Sequence, residues 1–188
     1  MEISKIYNLF INSKGVCIDT RKIVKKSIFF AIKGNNFDGN NFVNEALKKG
    51  CSYAITDKKS IKKNDKIIYV NNSLQTLQEL AKFHRKKLNC PVIGITGTNG
   101  KTTTKELINT ILKTKYKTSS TTGNYNNHIG VPLTILSTPS LTEILIIEMG
   151  ANQINDIKFL CEIAKPTHGI ITNIGKAHLE GFKTHKNI

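Results

Sequence analysis

The 188-residue chain carries 28 Lys+Arg against 13 Asp+Glu, a formal net charge of +15, with 39% hydrophobic and 22% charged residues; this excludes disordered and fibrous classes and suits one ordinary α/β domain or two small ones. The apolar run Ile144–Ile147 is strand-sized against the roughly 20 residues of a bilayer span, and the N-terminus lacks a basic region followed by an apolar block, so a soluble, cytoplasmic protein without membrane insertion is expected. Of the basic residues 26 are Lys, in a chain with 27 Ile and 20 Asn, and they lie without interleaved aromatics; codon bias and a solvated basic surface account for the charge, and no specific nucleic-acid partner is expected.

In chain order, Ser27–Ile32 (SIFFAI) reads as a buried strand, followed by the turn-rich KGNNFDGNN and a helical pattern over Phe42–Lys49 closed by Gly50. Ser52–Thr56 and Ile67–Val70 are further strands. Ser73 is the expected N-cap of a helix with Leu74, Leu77, Leu80, Ala81 and Leu88 along one face. That helix should end near Asn89-Cys90-Pro91, because proline disfavours helix in the preceding residue, and a domain boundary is placed there, giving domains 1–90 and 91–188. Val92–Thr96 is the next strand. After a glycine-rich turn, a helix from about Thr102 presents Leu107, Ile108, Ile111 and Leu112 on one face. Glu143–Met149 is apolar between its ends, as a central parallel strand should be. A helix with Ile154, Ile157, Leu160 and Cys161 on one face stops before Pro166, and Gly169–Ile174 is another buried strand. This alternation predicts a parallel sheet with helices on its faces. Cys17, Cys51, Cys90 and Cys161 show no metal-ligand or disulfide spacing and read as buried or incidental thiols.

The sharpest chemical signal is GITGTNGKTTT at 94–104, between a predicted strand and a predicted helix. Gly97 and Gly100 let the backbone curl so that N–H groups face a phosphate chain. Lys101 supplies a positive charge near the terminal phosphates, and the Thr102 hydroxyl can ligate Mg²⁺. The strict phosphate-loop pattern fails at Ile95, where it has glycine, so a purely structural turn competes with this reading. A nucleotide site of this kind needs a second magnesium anchor at the end of a neighbouring strand. Glu148 fits, because it closes EILIIE, where a carboxylate has no apolar packing role; an exposed loop acid is the bland alternative. TTGNYNNHIGVP at 121–132 and NIGKAHLEGF at 173–182 are over-specified for ordinary loops, although Asn-rich turns and a lone histidine, His178, each have structural readings.

Together the 97–104 loop, NYNNHIGVPLT, EMGAN at 148–152 and NIGKAHLEGF resemble the Mur ligases. DTRK at 19–22, SIFFAIKG at 27–34 and FDGNNF at 37–42 are similar to that family's uridine-nucleotide-binding domain. The resemblance implies a small N-terminal uridine-nucleotide-binding α/β domain, then the front of a P-loop parallel-sheet ATPase domain. It also implies that Gly97, Thr98, Asn99, Gly100, Lys101, Thr102 and Thr103 hold ATP, that Thr102 and Glu148 hold a first Mg²⁺, and that His178 contacts a second. Asn127 would orient ATP or the acceptor end of the substrate. Thr20, Arg21, Lys33, Gly34 and Asp38 would surround the UDP-sugar. The NNHIGVP and EMGAN segments favour the branch that joins D-alanyl-D-alanine to UDP-N-acetylmuramoyl-tripeptide in peptidoglycan precursor synthesis, through an acyl phosphate, acting as a monomer.

Two departures accompany the resemblance. The family usually has His after the Asp-Gly pair, where this chain has Asn40. Full ligases are more than twice as long, with a carbamoylated lysine beyond the position of His178 and a further C-terminal domain, so the chain is expected to be a partial ligase unable to complete the reaction alone. A UDP-sugar-binding remnant, a sister ligase adding a different amino acid, and a basic NTP-binding protein associated with nucleic acid are the competing readings.

Overall fold

A computed structural model of the chain describes residues 2–34 and 36–175. The chain divides into two units, Met1–Phe83 and His84–Ile188. Each has its own four-stranded sheet, and every strand pairing in both is parallel.

In the first unit, α1 (Ile3–Ile11) buries Ile6 and Phe10, a spacing that places both on one helix face. β1 (Val16–Cys17) leads into a 3₁₀ turn at Thr20–Lys22, and β2 (Ile28–Phe30) is buried throughout. A second 3₁₀ turn, Gly39–Phe42, runs into α2 (Val43–Lys48), then β3 (Tyr53–Thr56) and β4 (Ile67–Tyr69). The strands lie in the order β1-β2-β3-β4. Phe29, Ala31, Val43, Ala46, Cys51, Ala54 and Ile67 form a core cluster. Phe29 lies on one face of β2 and Ile28 and Phe30 on the other, all buried, which explains why this strand reads as a continuous apolar run.

Two features of α3 (Ser73–Arg85) correct the sequence reading. Its cap is Asn72, whose Oδ1 accepts from the Gln75 N–H at 2.8 Å, whereas Ser73 is buried and donates its own N–H to Asp57 at 3.1 Å. The helix stops at Arg85, before Leu88, because the chain turns there. The buried Arg85 guanidinium donates to the carbonyls of Leu88 (3.0 Å), Ala164 (2.8 Å) and Lys165 (3.2 Å). The division between units falls inside α3, at 83/84.

The second unit runs β5 (Val92–Thr96), α4 (Lys101–Leu112), β6 (Thr118–Ser120), α5 (Gly130–Leu136), β7 (Ile144–Glu148), α6 (Asp156–Ala164) and β8 (His168–Ile171), with strand order β6-β7-β5-β8. β5 and β7 are central, and Ile95 pairs with Glu148 at their carboxyl ends. Three expectations are corrected. On α4 the buried side chains are Lys105 and Asn109, while Leu107 and Ile111 are 61% and 67% exposed. Their polar groups have partners on the segment around β6: Lys105 Nζ donates to Thr121 O at 2.8 Å, and the Thr118 hydroxyl donates to Asn109 Oδ1 at 2.7 Å. Ile154 precedes α6 and is exposed. The strand expected to be buried at 169–174 is β8, which has one paired neighbour among the described residues and is largely exposed.

Candidate functional site

Parallel sheets bind ligands outside the carboxyl ends of their strands, where loops and helix N-termini converge. In the second unit the segment leaving β5 is Gly97–Gly100, and it opens α4 directly. Gly97 (φ +136) and Gly100 (φ +78) adopt backbone conformations closed to other residues at low cost, and a Cβ on Gly97 would collide with Thr172 Oγ1. Thr104 N–H reaches Gly100 O, so the amides of Lys101, Thr102 and Thr103 form the first turn, which by helix geometry has no intrahelical acceptor. Those amides and the positive end of the helix dipole suit an anion. Lys101 Nζ sits on the loop itself, donating to the carbonyls of Gly97 (2.6 Å) and Thr98 (3.0 Å).

Not every loop amide points to the mouth. Thr98 N–H donates to Asn173 O at 3.0 Å and Asn99 N–H to Asn173 Oδ1 at 3.1 Å. The Asn99 carbonyl in turn accepts from the Thr172 hydroxyl and the Asn173 amide at 2.6 and 3.0 Å. The loop is therefore clamped to the segment that follows β8. In this arrangement the donors left for a phosphate chain come from the helix side of the loop.

Beside that mouth lies Glu148, the last residue of β7 and only 2% exposed. Its Oε2 accepts from the Thr102 hydroxyl at 2.9 Å, and its Oε1 accepts from Asn126 Nδ2 at 2.9 Å. Its backbone N–H donates to the buried Thr121 hydroxyl at 3.0 Å. The two residues chosen from sequence as a metal pair, 46 positions apart, are thus in direct contact. Among the described residues no group of three or more His, Cys, Asp or Glu could cage a metal ion by itself. A carboxylate and a hydroxyl fit Mg²⁺, which keeps waters and takes phosphate oxygens as ligands.

Asn127 and Asn126 have different surroundings. Asn127 is exposed, and its Oδ1 accepts from the N–H groups of Ile129 (3.0 Å) and Gly130 (2.9 Å) at the start of α5. Its neighbour Asn126 carries the side chain that reaches Glu148. Sequence reasoning singled out the segment that holds Asn126 but chose Asn127 from it, and it passed over Lys105 and Asn173. A run of asparagines does not disclose which of them turns inward. His178 lies outside the described residues.

In the first unit the segments after β1 and β2 leave the same end of the sheet, because the two strands pair in parallel. Thr20 is buried at the start of its 3₁₀ turn, and its carbonyl accepts from Lys49 Nζ at 3.1 Å. Arg21 is exposed and grips Asp19, with Nη2 to Oδ2 at 2.8 Å and Nε to Oδ1 at 3.0 Å. These bonds hold the Asp19 carboxyl down to about 2. Lys33 and Asp38 form an antiparallel bridge, Gly34 N–H donates to Phe37 O at 2.8 Å, and Lys33 and Gly34 are exposed. Asp38 caps the second 3₁₀ turn through the Asn40 N–H at 2.9 Å, and that bond lowers its pKa. Asn40 is buried and donates to Asp57 at 2.9 Å while accepting from the Thr56 hydroxyl at 2.5 Å. It holds β3 to the turn and is 5% exposed, which leaves it little surface for a ligand.

Two family descriptions match the chain: the Mur ligase family catalytic domain over residues 12–92 and the Mur ligase middle domain over residues 95–188. The chain belongs to the Mur ligase family. It is 42% identical over 176 residues to the UDP-N-acetylmuramoyl-tripeptide–D-alanyl-D-alanine ligase of Bacillus subtilis (strain 168), covering 93% of this chain and 38% of that protein. The crystal structure of MurF ligase from Thermotoga maritima in complex with ADP aligns with TM-score 0.86 and 37% identity, over 96% of this chain and 42% of that one. MurF from Acinetobacter baumannii aligns with TM-score 0.85 and 34% identity, over 92% and 38%. This Mur ligase chain therefore spans about two fifths of the length of the relatives it matches. No helix among its described residues is long and apolar enough to cross a membrane.

Proposed function

We propose that this Mur ligase chain carries the uridine-nucleotide-binding part and the front of the ATP-binding part of an enzyme that joins D-alanyl-D-alanine to UDP-N-acetylmuramoyl-tripeptide in the cytoplasm. In this reading ATP lies with its phosphates on the first-turn amides of α4, and Lys101 leaves the Gly97 and Thr98 carbonyls to meet the terminal phosphates. Thr102 and Glu148 hold Mg²⁺, which when bound neutralises charge on the phosphate oxygens. The tripeptide carboxylate attacks the γ-phosphorus, the β–γ bridging bond breaks, and ADP leaves with that electron pair. The D-alanyl-D-alanine amine then adds to the acyl phosphate carbonyl, loses a proton, and expels inorganic phosphate. The chain's own contribution to the first step is alignment and charge stabilisation. Thr20, Arg21, Lys33, Gly34 and Asp38 are assigned to the UDP-sugar, and His178 to a second Mg²⁺, on the motif resemblance. The reading as a whole takes the enzyme to work as a monomer.

The observation that carries the proposal is the 2.9 Å contact between Thr102 and the buried Glu148 at the mouth of the glycine loop. Calorimetry with a non-hydrolysable ATP analogue tests it. Mg²⁺ should tighten binding to the unmodified chain, Glu148→Gln should abolish that tightening, and Lys101→Met should weaken binding with or without metal. Failure of the unmodified chain to bind the analogue would overturn the assignment.

A further inference from the structure

Resting on that reading, we infer that Asn126 is the residue that positions the Glu148 carboxylate for the metal, and that Gly150 is glycine so that it can do so. A magnesium-binding carboxylate must hold one rotamer while keeping its full negative charge. A neutral amide donor meets both needs, whereas a lysine or arginine in the same place would compete with the cation. Asn126 Nδ2 holds Oε1 at 2.9 Å, and the Thr102 hydroxyl holds Oε2 at 2.9 Å. The carboxylate is thus gripped at one oxygen by a residue that need not itself ligate the ion. Buried ligands held by such outer partners typically lose on the order of ten-fold or more in metal affinity when the partner is removed.

The backbone supports the same contact from below. Gly150 N–H donates to Asn126 O at 2.7 Å. A Cβ on Gly150 would lie 3.1 Å from both Cγ and Oδ1 of Asn126 and 3.3 Å from its Nδ2. Gly150 has no positive φ to explain its identity, so the close approach of the Asn126 amide supplies the reason. Both neighbours of Asn126 along the segment are restrained too. A Cβ on Gly130 would collide with the Tyr125 backbone, and Asn127 caps the entry to α5. The asparagine-rich segment and the EMGAN segment are therefore two halves of one device.

The test is calorimetric titration of the chain with a non-hydrolysable ATP analogue, without metal and across a Mg²⁺ series, for the unmodified protein, Asn126→Ala and Gly150→Ala. Metal-free analogue binding reports an intact phosphate loop and serves as the folding control. The expected result is metal-free affinity within two-fold of the unmodified chain in both variants, and Mg²⁺ affinity weakened on the order of ten-fold in both. Equal weakening with and without metal, or unchanged Mg²⁺ affinity in Asn126→Ala, would overturn the inference and leave the nucleotide reading standing. An unmodified chain whose analogue binding ignores Mg²⁺ would overturn both.

Discussion

Asp19 and Arg21 show how a short local motif sets a charge state. The two residues form an ion pair closed by the Arg21 backbone N–H at 2.9 Å, and the side-chain bonds are the larger cause of the low Asp19 pKa. Because that value is depressed from an ordinary 3.8 to about 2, the pair contributes stability above about pH 4, which is lost as pH falls through 2. In Arg21→Ala the backbone bond survives, so the carboxyl should rise only part of the way back to 3.8, read by NMR titration of the Asp19 carboxyl carbon. Both arginines of the chain are visible in its sequence, but not the groups they hold within the fold. One sits on a neighbouring aspartate; the other, Arg85, covers the turn after α3 through the Leu88 carbonyl and the carbonyl end of α6 through contacts about 80 residues away. The first is a matter of i, i+2 spacing, and the second requires the fold.

At the scale of the element, α4 has its hydrophobic and hydrophilic sides partly exchanged. Leu107 and Ile111 face out, and Lys105 and Asn109 face in, because the groups opposite them are the Thr121 carbonyl and the Thr118 hydroxyl. Lys105→Ala leaves the buried Thr121 carbonyl without its ammonium donor and should cost about 1–3 kcal/mol by urea unfolding. Leu107→Ser should stay within about 0.5 kcal/mol of the unmodified chain in the same measurement. The opposite ranking would place the core on the apolar stripe. Periodicity located this helix and its start at the glycine turn correctly, yet misassigned its inner face, since apolar spacing carries no information about polar groups waiting on the opposing strand. β6 escaped notice for a related reason. Its three residues, TSS, have no apolar signature, and the strand exists because the edge of β7 offers it a ladder. α5, at seven residues with a proline inside and nearly all side chains buried, has no amphipathic pattern to read.

For the molecule as a whole, two units with separate sheets bear different halves of the proposed chemistry. A ligand that binds only the native form raises stability by mass action. Mg²⁺ with a non-hydrolysable ATP analogue should therefore slow amide hydrogen exchange in the second unit, most at 97–104, 121–127 and 148–150, where loop, asparagine segment and Glu148 meet. UDP-sugar should instead protect segments of the first unit, around 19–22 and 33–40. Protection in the reverse pattern would refute this assignment of ligands to units.

What the amino-acid sequence determined by itself was local or periodic. The buried strands SIFFAI and EILIIE, the glycine loop with its Lys101 and Thr102, and the alternation that demands parallel sheets all follow from chain geometry within a few residues. It also nominated Glu148, because a carboxylate ending an apolar strand has no packing role. Tertiary structure alone decided that Glu148 meets Thr102, that Asn126 rather than its neighbour turns inward to the carboxylate, and that Asn173 occupies two of the loop amides. Each of those contacts joins residues 22 to 75 positions apart. Their partners are chosen by strand order and register, which place β5 beside both β7 and β8 and which no local spacing encodes.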